Sequence, residues 1–358
     1  MDYDEWCRQT GLAGWAMWDL CPWPDGMPPP IVDRPLVGAG VAAGALVDGF
    51  LIYRGGVWHD DHRALSLAKH YDSARCVLTC APPDSGHEVS RLPGTWLYAG
   101  PVRDQFGHFL TESLARLWAL DRPDIGKVDG LLWSGLGDFG VPSFVQPVLE
   151  HMADLPPSRF VTDGVVQPDR LILPRQEGGS GVGMLLSHGL AATLRRRFAA
   201  IGTAPAERQG MLYVSRSAMA QNDHWQRHGS GQLSPGPVID AAFERAGYRV
   251  FHPETASLSE QIKAYRSAAV LVLDEGSALH LAGLVAHPET QVVVLCRRPQ
   301  YRMLFEAHLR ILLGREARVE VRMVEGDSRP HAHGFSVTPD PALFAALLMA
   351  AEVPPVLL

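Results

Sequence analysis

The segment Ala268-Ala-Val-Leu-Val-Leu-Asp-Glu-Gly-Ser-Ala-Leu-His280 constrains the fold more than any other. Its first half is an unbroken apolar run of strand length, as expected of a strand buried on both faces in a parallel sheet. It leads into two acidic residues, a Gly-Ser turn and a new apolar helix. A strand, turn and helix in this order set backbone N–H groups and the positive end of a helix dipole at the carboxyl edge of a sheet, where an anion can rest. The same alternation fills the second half of the chain. Strands are predicted at Gly210–Ser215, Tyr248–His252, Ala269–Leu273, Gln291–Cys296 and Arg318–Met323. Helices are predicted at 237–246, Leu258–Arg266, Ser277–Val285 and Arg302–Leu313, with a last apolar helix at Pro341–Ala351. Strands separated by helices of this length indicate an α/β fold with a parallel sheet covered on both faces.

The first half is less regular. Residues 1–35 are rich in Trp and Pro, including Pro28-Pro-Pro30, and read as an irregular lead-in. Strand candidates follow at Phe50–Tyr53, Val77–Cys80, Thr95–Tyr98, Val128–Trp133 and Arg170–Pro174. Helical periodicity marks Gly107–Leu120, Ser143–Met152 and Leu190–Ala200. Gly202 and Pro205 place a linker within Ile201–Gln209. The expected domains are therefore 1–205 and 206–358, with the final helix reaching back to the N-terminal domain.

With 46% hydrophobic and 20% charged residues, the 358-residue chain can bury substantial cores. A formal net charge of -7 excludes a general nucleic-acid binder. It leaves open a phosphorylated small ligand, for which a few local arginines suffice. Five cysteines (Cys7, Cys21, Cys76, Cys80 and Cys296), odd in number and irregularly spaced, read as reduced thiols of a cytosolic protein. The start, Met-Asp-Tyr-Asp-Glu-Trp, lacks the pattern of a signal peptide. The longest uncharged stretch, Leu36–Val47, is too short and Gly-rich to span a bilayer. The expected location is cytoplasmic, with at most peripheral contact at the inner face of a membrane. Asp2/Asp4 and His59-Asp-Asp-His62 fit solvated runs better than metal sites, and no metal is expected. The glycine runs Gly38–Gly44 and Gly178–Gly183 match no phosphate-loop spacing, and Arg195–Arg197 reads as a solvated helix face.

Two segments carry candidate chemistry. On a helix starting near Gly107, His108, Glu112 and Arg116 fall within about 80° of one another and share a narrow face. One reading is a solvated face with a Glu112–Arg116 ion pair. The other makes His108, beside Asp104 and one turn before a carboxylate, a general base. In the second half, Arg216 follows a strand and suits a phosphate. Glu275 suits a ribose, Gly276 permits close backbone approach, Ser277 caps the next helix, and His280 in its first turn completes the set.

These pieces resemble glycosyltransferase family 61, which includes bacterial capsular-polysaccharide-biosynthesis-like proteins and eukaryotic transferases of N-acetylglucosamine and xylose. The matching stretches are Gly107–Trp118, Leu212-Tyr-Val-Ser-Arg216, Gly247–Glu254, Leu258-Ser-Glu-Gln261 and Ala268–Leu279. The family's proline before Arg-Leu is Ala115 here, and its Gly-His before the Gly-Ser turn is Asp274-Glu275. His224–Gly231 replaces a polar motif after the Ser-Arg pair. The resemblance implies a GT-B-like architecture of two Rossmann-like domains facing each other across a cleft. It also implies inverting, metal-independent transfer from a nucleotide sugar, here expected to be UDP-linked, to a glycan, glycolipid or glycoprotein hydroxyl in polysaccharide biosynthesis. Arg216 then binds the diphosphate, His108 and Arg116 belong to the N-terminal motif, and no cofactor beyond the donor is implied. A non-catalytic nucleotide- or glycan-binding module is the alternative, and a metal-dependent enzyme a third reading.

Overall fold

A computed structural model describes residues 88–358 apart from 124, 136–139, 175, 180–184, 201–207, 209, 222–230 and 332–333; before residue 88 it describes the backbone of four short strands. Residues 1–35, Cys7, Cys21, Gly38–Gly44, His59–His62, Cys80, most of Gly178–Gly183 and of Ile201–Gln209, and 224–230 lie outside the described residues, as does the side chain of Cys76. The chain divides into two compact units, Met1–Ile201 and Gly202–Leu358.

The first unit is built on a six-stranded sheet. Its strands are β1 (Leu51–Tyr53), β2 (Gly56–Trp58), β5 (Val89–Pro101), β6 (Gly130–Ser134), β7 (Ser158–Phe160) and β8 (Val165–Ile172), in the order β2-β1-β8-β5-β6-β7. A separate hairpin joins β3 (His70–Asp72) to β4 (Arg75–Val77). From β8 to β7 the pairing is parallel, while β1 and β2 add an antiparallel edge. From β5 the chain moves one way to β6 and β7, then returns to β8 on the other side of β5. The direction of winding thus reverses between β5 and β8, the kind of place where open α/β sheets bind ligands.

Directly after β5 come α1 (Phe106–Thr111) and a 3-10 helix, Ser113–Asp121. The single α-helix expected over Gly107–Leu120 therefore breaks at Glu112. Tertiary bonds explain the break. Ser113 Oγ accepts the Arg103 N–H at 2.9 Å, and the Ala115 carbonyl accepts the Glu177 N–H at 2.9 Å. The second bond occupies a carbonyl of the regular i→i−4 ladder, the first ties the start of the 3-10 helix to the bend after β5, and together they favour the tighter turn. The inner side remains apolar: Phe109, Leu114 and Leu117 are fully buried, with the Phe109 ring 6.0 Å from that of Trp133. Each such side chain contributes roughly 1.5–3 kcal/mol of burial. α2 (Val145–Glu150) and α3 (His188–Ala199) complete the unit, and the Ser187 hydroxyl caps α3 by accepting from Leu190 N at 3.1 Å. Of the run read as a solvated face, Arg196 is exposed, while Arg197 is buried; both pair with Asp121.

The second unit carries a five-stranded, wholly parallel sheet: β9 (Met211–Val214), β10 (Tyr248–Phe251), β11 (Val270–Asp274), β12 (Gln291–Cys296) and β13 (Val319–Met323), ordered β10-β9-β11-β12-β13. Helices α4 (Gly236–Arg245), α5 (Leu258–Ser267), α6 (Ala278–Val285) and α7 (Arg302–Leu313) connect the strands. β11 and β12 are buried almost throughout, which is why they read as continuous apolar runs. The winding reverses here between β9 and β11. A hairpin, β14 (Gly326–His331) with β15 (Gly334–Pro339), was not foreseen; Gly326-Asp-Ser-Arg-Pro-His has no apolar alternation, although Val337 of β15 joins the core. The tail helix α8 (Pro341–Ala350) was expected to reach back to the N-terminal half. Phe344 and Leu348 of this helix join Tyr213, Ile239 and Phe243 in its own unit's core. Among the described residues no helix is long and apolar enough to cross a membrane.

Candidate active site

In the first unit the joint between α1 and the 3-10 helix holds the candidate residues. Glu112 sits on the joint itself, with its side chain fully buried. Its Oε1 lies 2.5 Å from His108 Nδ1, one helical turn back, and its Oε2 lies 3.2 Å from Arg103 Nε. Sequence reasoning missed Arg103, because nothing in the spacing shows that the bend after β5 folds it onto the carboxylate. An ionised carboxylate only accepts hydrogen bonds, so the shared proton belongs on Nδ1 and the Nε2 lone pair remains available as a base. The His108 side chain is 29% exposed and can meet a substrate, whereas Glu112 can act only through it. Asp104 is exposed on the bend before α1.

Gly179 explains how the carboxylate is enclosed. Its φ is +73°, and an added Cβ would fall 2.2 Å from Glu112 Cγ. Gly178 and Gly179, the described start of the glycine-rich stretch, therefore pack on the joint. Arg116, expected as a ligand contact, is 1% exposed. Its Nη1 donates to the Pro174 carbonyl at 2.7 Å, and its guanidinium lies over the Tyr98 ring at 5.5 Å. It braces the 3-10 helix against the exit of β8.

In the second unit the candidates gather at the carboxyl edge of the sheet, on either side of the reversal. Arg216 follows β9 and Gly276 follows β11. The Arg216 guanidinium fills the space above Gly276: a Cβ placed there would lie 2.0 Å from Nη1 and 3.0 Å from Cζ. The two residues, 60 positions apart in the chain, are in contact. Burial lowers the Arg216 pKa, against an opposing pull from Asp274.

Two expectations for this edge change. Ser277 occupies the N-cap position of α6, but its backbone is helical (φ -61°, ψ -23°) and its hydroxyl makes no cap bond. Capping requires an extended backbone that swings the hydroxyl over the first turn. Glu275, expected to meet a ribose, is fully buried. Its Oε2 accepts the N–H groups of Arg297 at 2.7 Å and Arg298 at 3.1 Å, and its Oε1 meets Arg298 Nε. Burial raises the Glu275 carboxyl, but Arg297 and Arg298 outweigh it and hold the pKa below the usual range. Glu275 thus clamps the ends of β11 and β12 together.

Asp274 and Arg297 form a buried pair at the same edge, Nε to Oδ1 3.3 Å. Burial pushes the Asp274 pKa up, against the pull of Arg297 and Arg216. Arg297 was not singled out from the sequence, where Asp274 stood out only as part of the pair that replaces the family's Gly-His. His280 lies in the contact between α6 and α7, its Nδ1 3.0 Å from His308 Nε2 and both rings buried. Cys296 is a buried free thiol whose pKa burial raises to about 12, so it is inert. Among the described residues no group of three or more His, Cys, Asp or Glu could hold a metal ion.

The family model for glycosyltransferase 61 matches residues 106–293, from the first residue of α1 into β12. The chain belongs to glycosyltransferase family 61. Membership marks it as a glycosyltransferase, with a sugar donor and an acceptor as substrates. No curated protein compared with this family 61 chain matches it. The family match takes in His108, Glu112, Arg216 and Gly276, whereas the Arg297–Arg298 clamp lies beyond its end.

Proposed function

We propose that the chain is an inverting glycosyltransferase that uses a nucleotide sugar, UDP-linked in our reading, and needs no metal. The contact of Arg216 with Gly276, at the reversal between β9 and β11, carries this reading. A cation forks onto a diphosphate there, beside the N–H groups of Gly276, Ser277 and Ala278. The next two N–H groups, of Leu279 and His280, already donate to the carbonyls of Gly276 and Ser277. Preorganised donors of this kind stabilise a departing oxyanion, and removing one costs about 10²–10³ in kcat.

In this proposal the second unit holds the donor and the first supplies the base, in a GT-B-like arrangement. His108 Nε2 takes the proton of the acceptor hydroxyl, with Asp104 the runner-up base. The acceptor oxygen attacks the anomeric carbon from the face opposite the nucleotide. As that bond forms, the bond from carbon to phosphate oxygen breaks, and the nucleoside diphosphate leaves with its new charge on Arg216. Glu112 holds the imidazole and balances the proton it gains. The acceptor is a glycan, glycolipid or glycoprotein hydroxyl in polysaccharide biosynthesis, met in the cytoplasm or at the inner face of a membrane.

The test is nucleotide release from a panel of nucleotide sugars, with and without a chelator. We expect release that a chelator leaves intact and that Arg216→Ala reduces at least about 100-fold in a folded protein. Binding without release indicates the non-catalytic module instead, and loss of activity with the chelator indicates a metal enzyme.

A further inference from the structure

Three strands of the second unit share one register row near the carboxyl edge of the sheet. Val214 of β9 pairs with Phe251 of β10 on one side and with Leu273 of β11 on the other. Arg216 lies two positions beyond this row, and Glu254 and Gly276 each lie three beyond it. Neighbouring strands are about 4.8 Å apart. With β9 between β10 and β11, Glu254 leaves the edge on one flank of Arg216 and Gly276 leaves it on the other.

The Glu254 turn is held in place. Pro253–Thr255 is a 3-10 turn, and the Gln261 side chain donates to the carbonyls of Pro253 at 2.9 Å and Ala256 at 3.1 Å. The residue as a whole is exposed. Burial is nonetheless the largest influence on its carboxyl and raises the pKa, while its own backbone N–H, His252, Arg216 and the Met219 N–H pull it down. A carboxylate here repels phosphate and, once ionised, only accepts hydrogen bonds. It therefore suits the part of a nucleotide that is uncharged and donates. A vicinal diol, with two hydroxyls side by side, matches its two oxygens.

We propose that Glu254 binds the ribose hydroxyls of a nucleoside diphosphate whose phosphates sit on Arg216 and the Gly276 turn. The nucleotide then lies along the sheet edge, with ribose at β10 and diphosphate between β9 and β11. This rests on the reading of the edge as a nucleotide site, and it gives Glu254 the role that the sequence suggested for Glu275.

Calorimetry on the full-length protein with UDP, 2′-deoxy-UDP and inorganic pyrophosphate tests it, with thermal midpoints as the check on folding. Glu254→Gln should weaken UDP at least about 10-fold, as loss of hydrogen bonds to a charged group does. Pyrophosphate binding should stay within about 2-fold, and the wild-type preference for UDP over its deoxy analogue should vanish in the variant. Arg216→Ala should weaken all three ligands. If Glu254→Gln binds UDP as the wild type does, the inference fails and the nucleotide site stands. If it loses pyrophosphate and UDP alike, Glu254 merely orients Arg216 and the inference fails. If the wild type binds none of UDP, GDP, ADP and CDP, the underlying site fails, and this inference with it.

Discussion

Glu112 illustrates how far one residue's role depends on neighbours that its local sequence does not show. The one-turn spacing from His108 was visible, and so was the choice between a base–carboxylate pair and a solvated face. The enclosure was not. It requires Arg103 folding back after β5 and Gly179 arriving from beyond β8, contacts between distant parts of the chain. Glu112→Gln keeps the shape but removes the charge that balances a protonated imidazole. We expect kcat to fall about 100-fold or more, with the donor KM nearly unchanged; steady-state kinetics at varied donor concentration would show this. Gly276→Ala acts in the opposite sense. The new methyl group must displace the Arg216 head, the mobile end of a long side chain, so the fold is kept while the anion site is spoiled. Calorimetry should find nucleoside diphosphate binding weakened about 10-fold or more, with a thermal midpoint close to that of the wild type.

Among the elements, β9 to β13 and their helices were legible because β9, β11 and β12 are apolar runs, β10 and β13 interleave apolar with charged residues, and helices separate the strands. The joint at Glu112 was not, since α and 3-10 turns share nearly the same residue preferences and tertiary bonds decide between them. The β14–β15 hairpin was hidden by the polar composition of β14. Within the run Arg195–Arg197 the burial of Arg197 was missed, because its partner Asp121 comes from the far end of the 3-10 helix. That contact makes a pH prediction. Burial raises the Asp121 carboxyl, but the Thr193 hydroxyl, Arg196 and Arg197 together lower it below its ordinary 3.8. A depressed folded pKa contributes stability above the unfolded value and loses it as pH falls through the folded one. Melting temperature should therefore drop as the pH is taken below about 4, and Asp121→Asn should flatten that acid limb. Equal slopes in the two proteins would refute it.

Across the whole chain, each unit has its own core. Phe344 of α8 is 1% exposed in the second, its ring 6.2 Å from that of Phe243. Phe344→Ala should cost that unit about 3–5 kcal/mol. Hydrogen exchange should speed up at the amides of β9, α4 and α8 and leave β5 and β6 of the first unit unchanged; an even loss of protection throughout would contradict the independence of the cores. The shared register of Val214, Phe251 and Leu273 has a consequence for how such a protein can vary. Successive residues of an extended strand alternate between its two sides and advance about 3.3 Å each. Deleting one residue from β11 would carry everything after it away from Arg216 and turn inward groups outward, whereas exchanging one aliphatic side chain for another would leave the rim intact. Counting, more than chemistry, is what these strands must preserve.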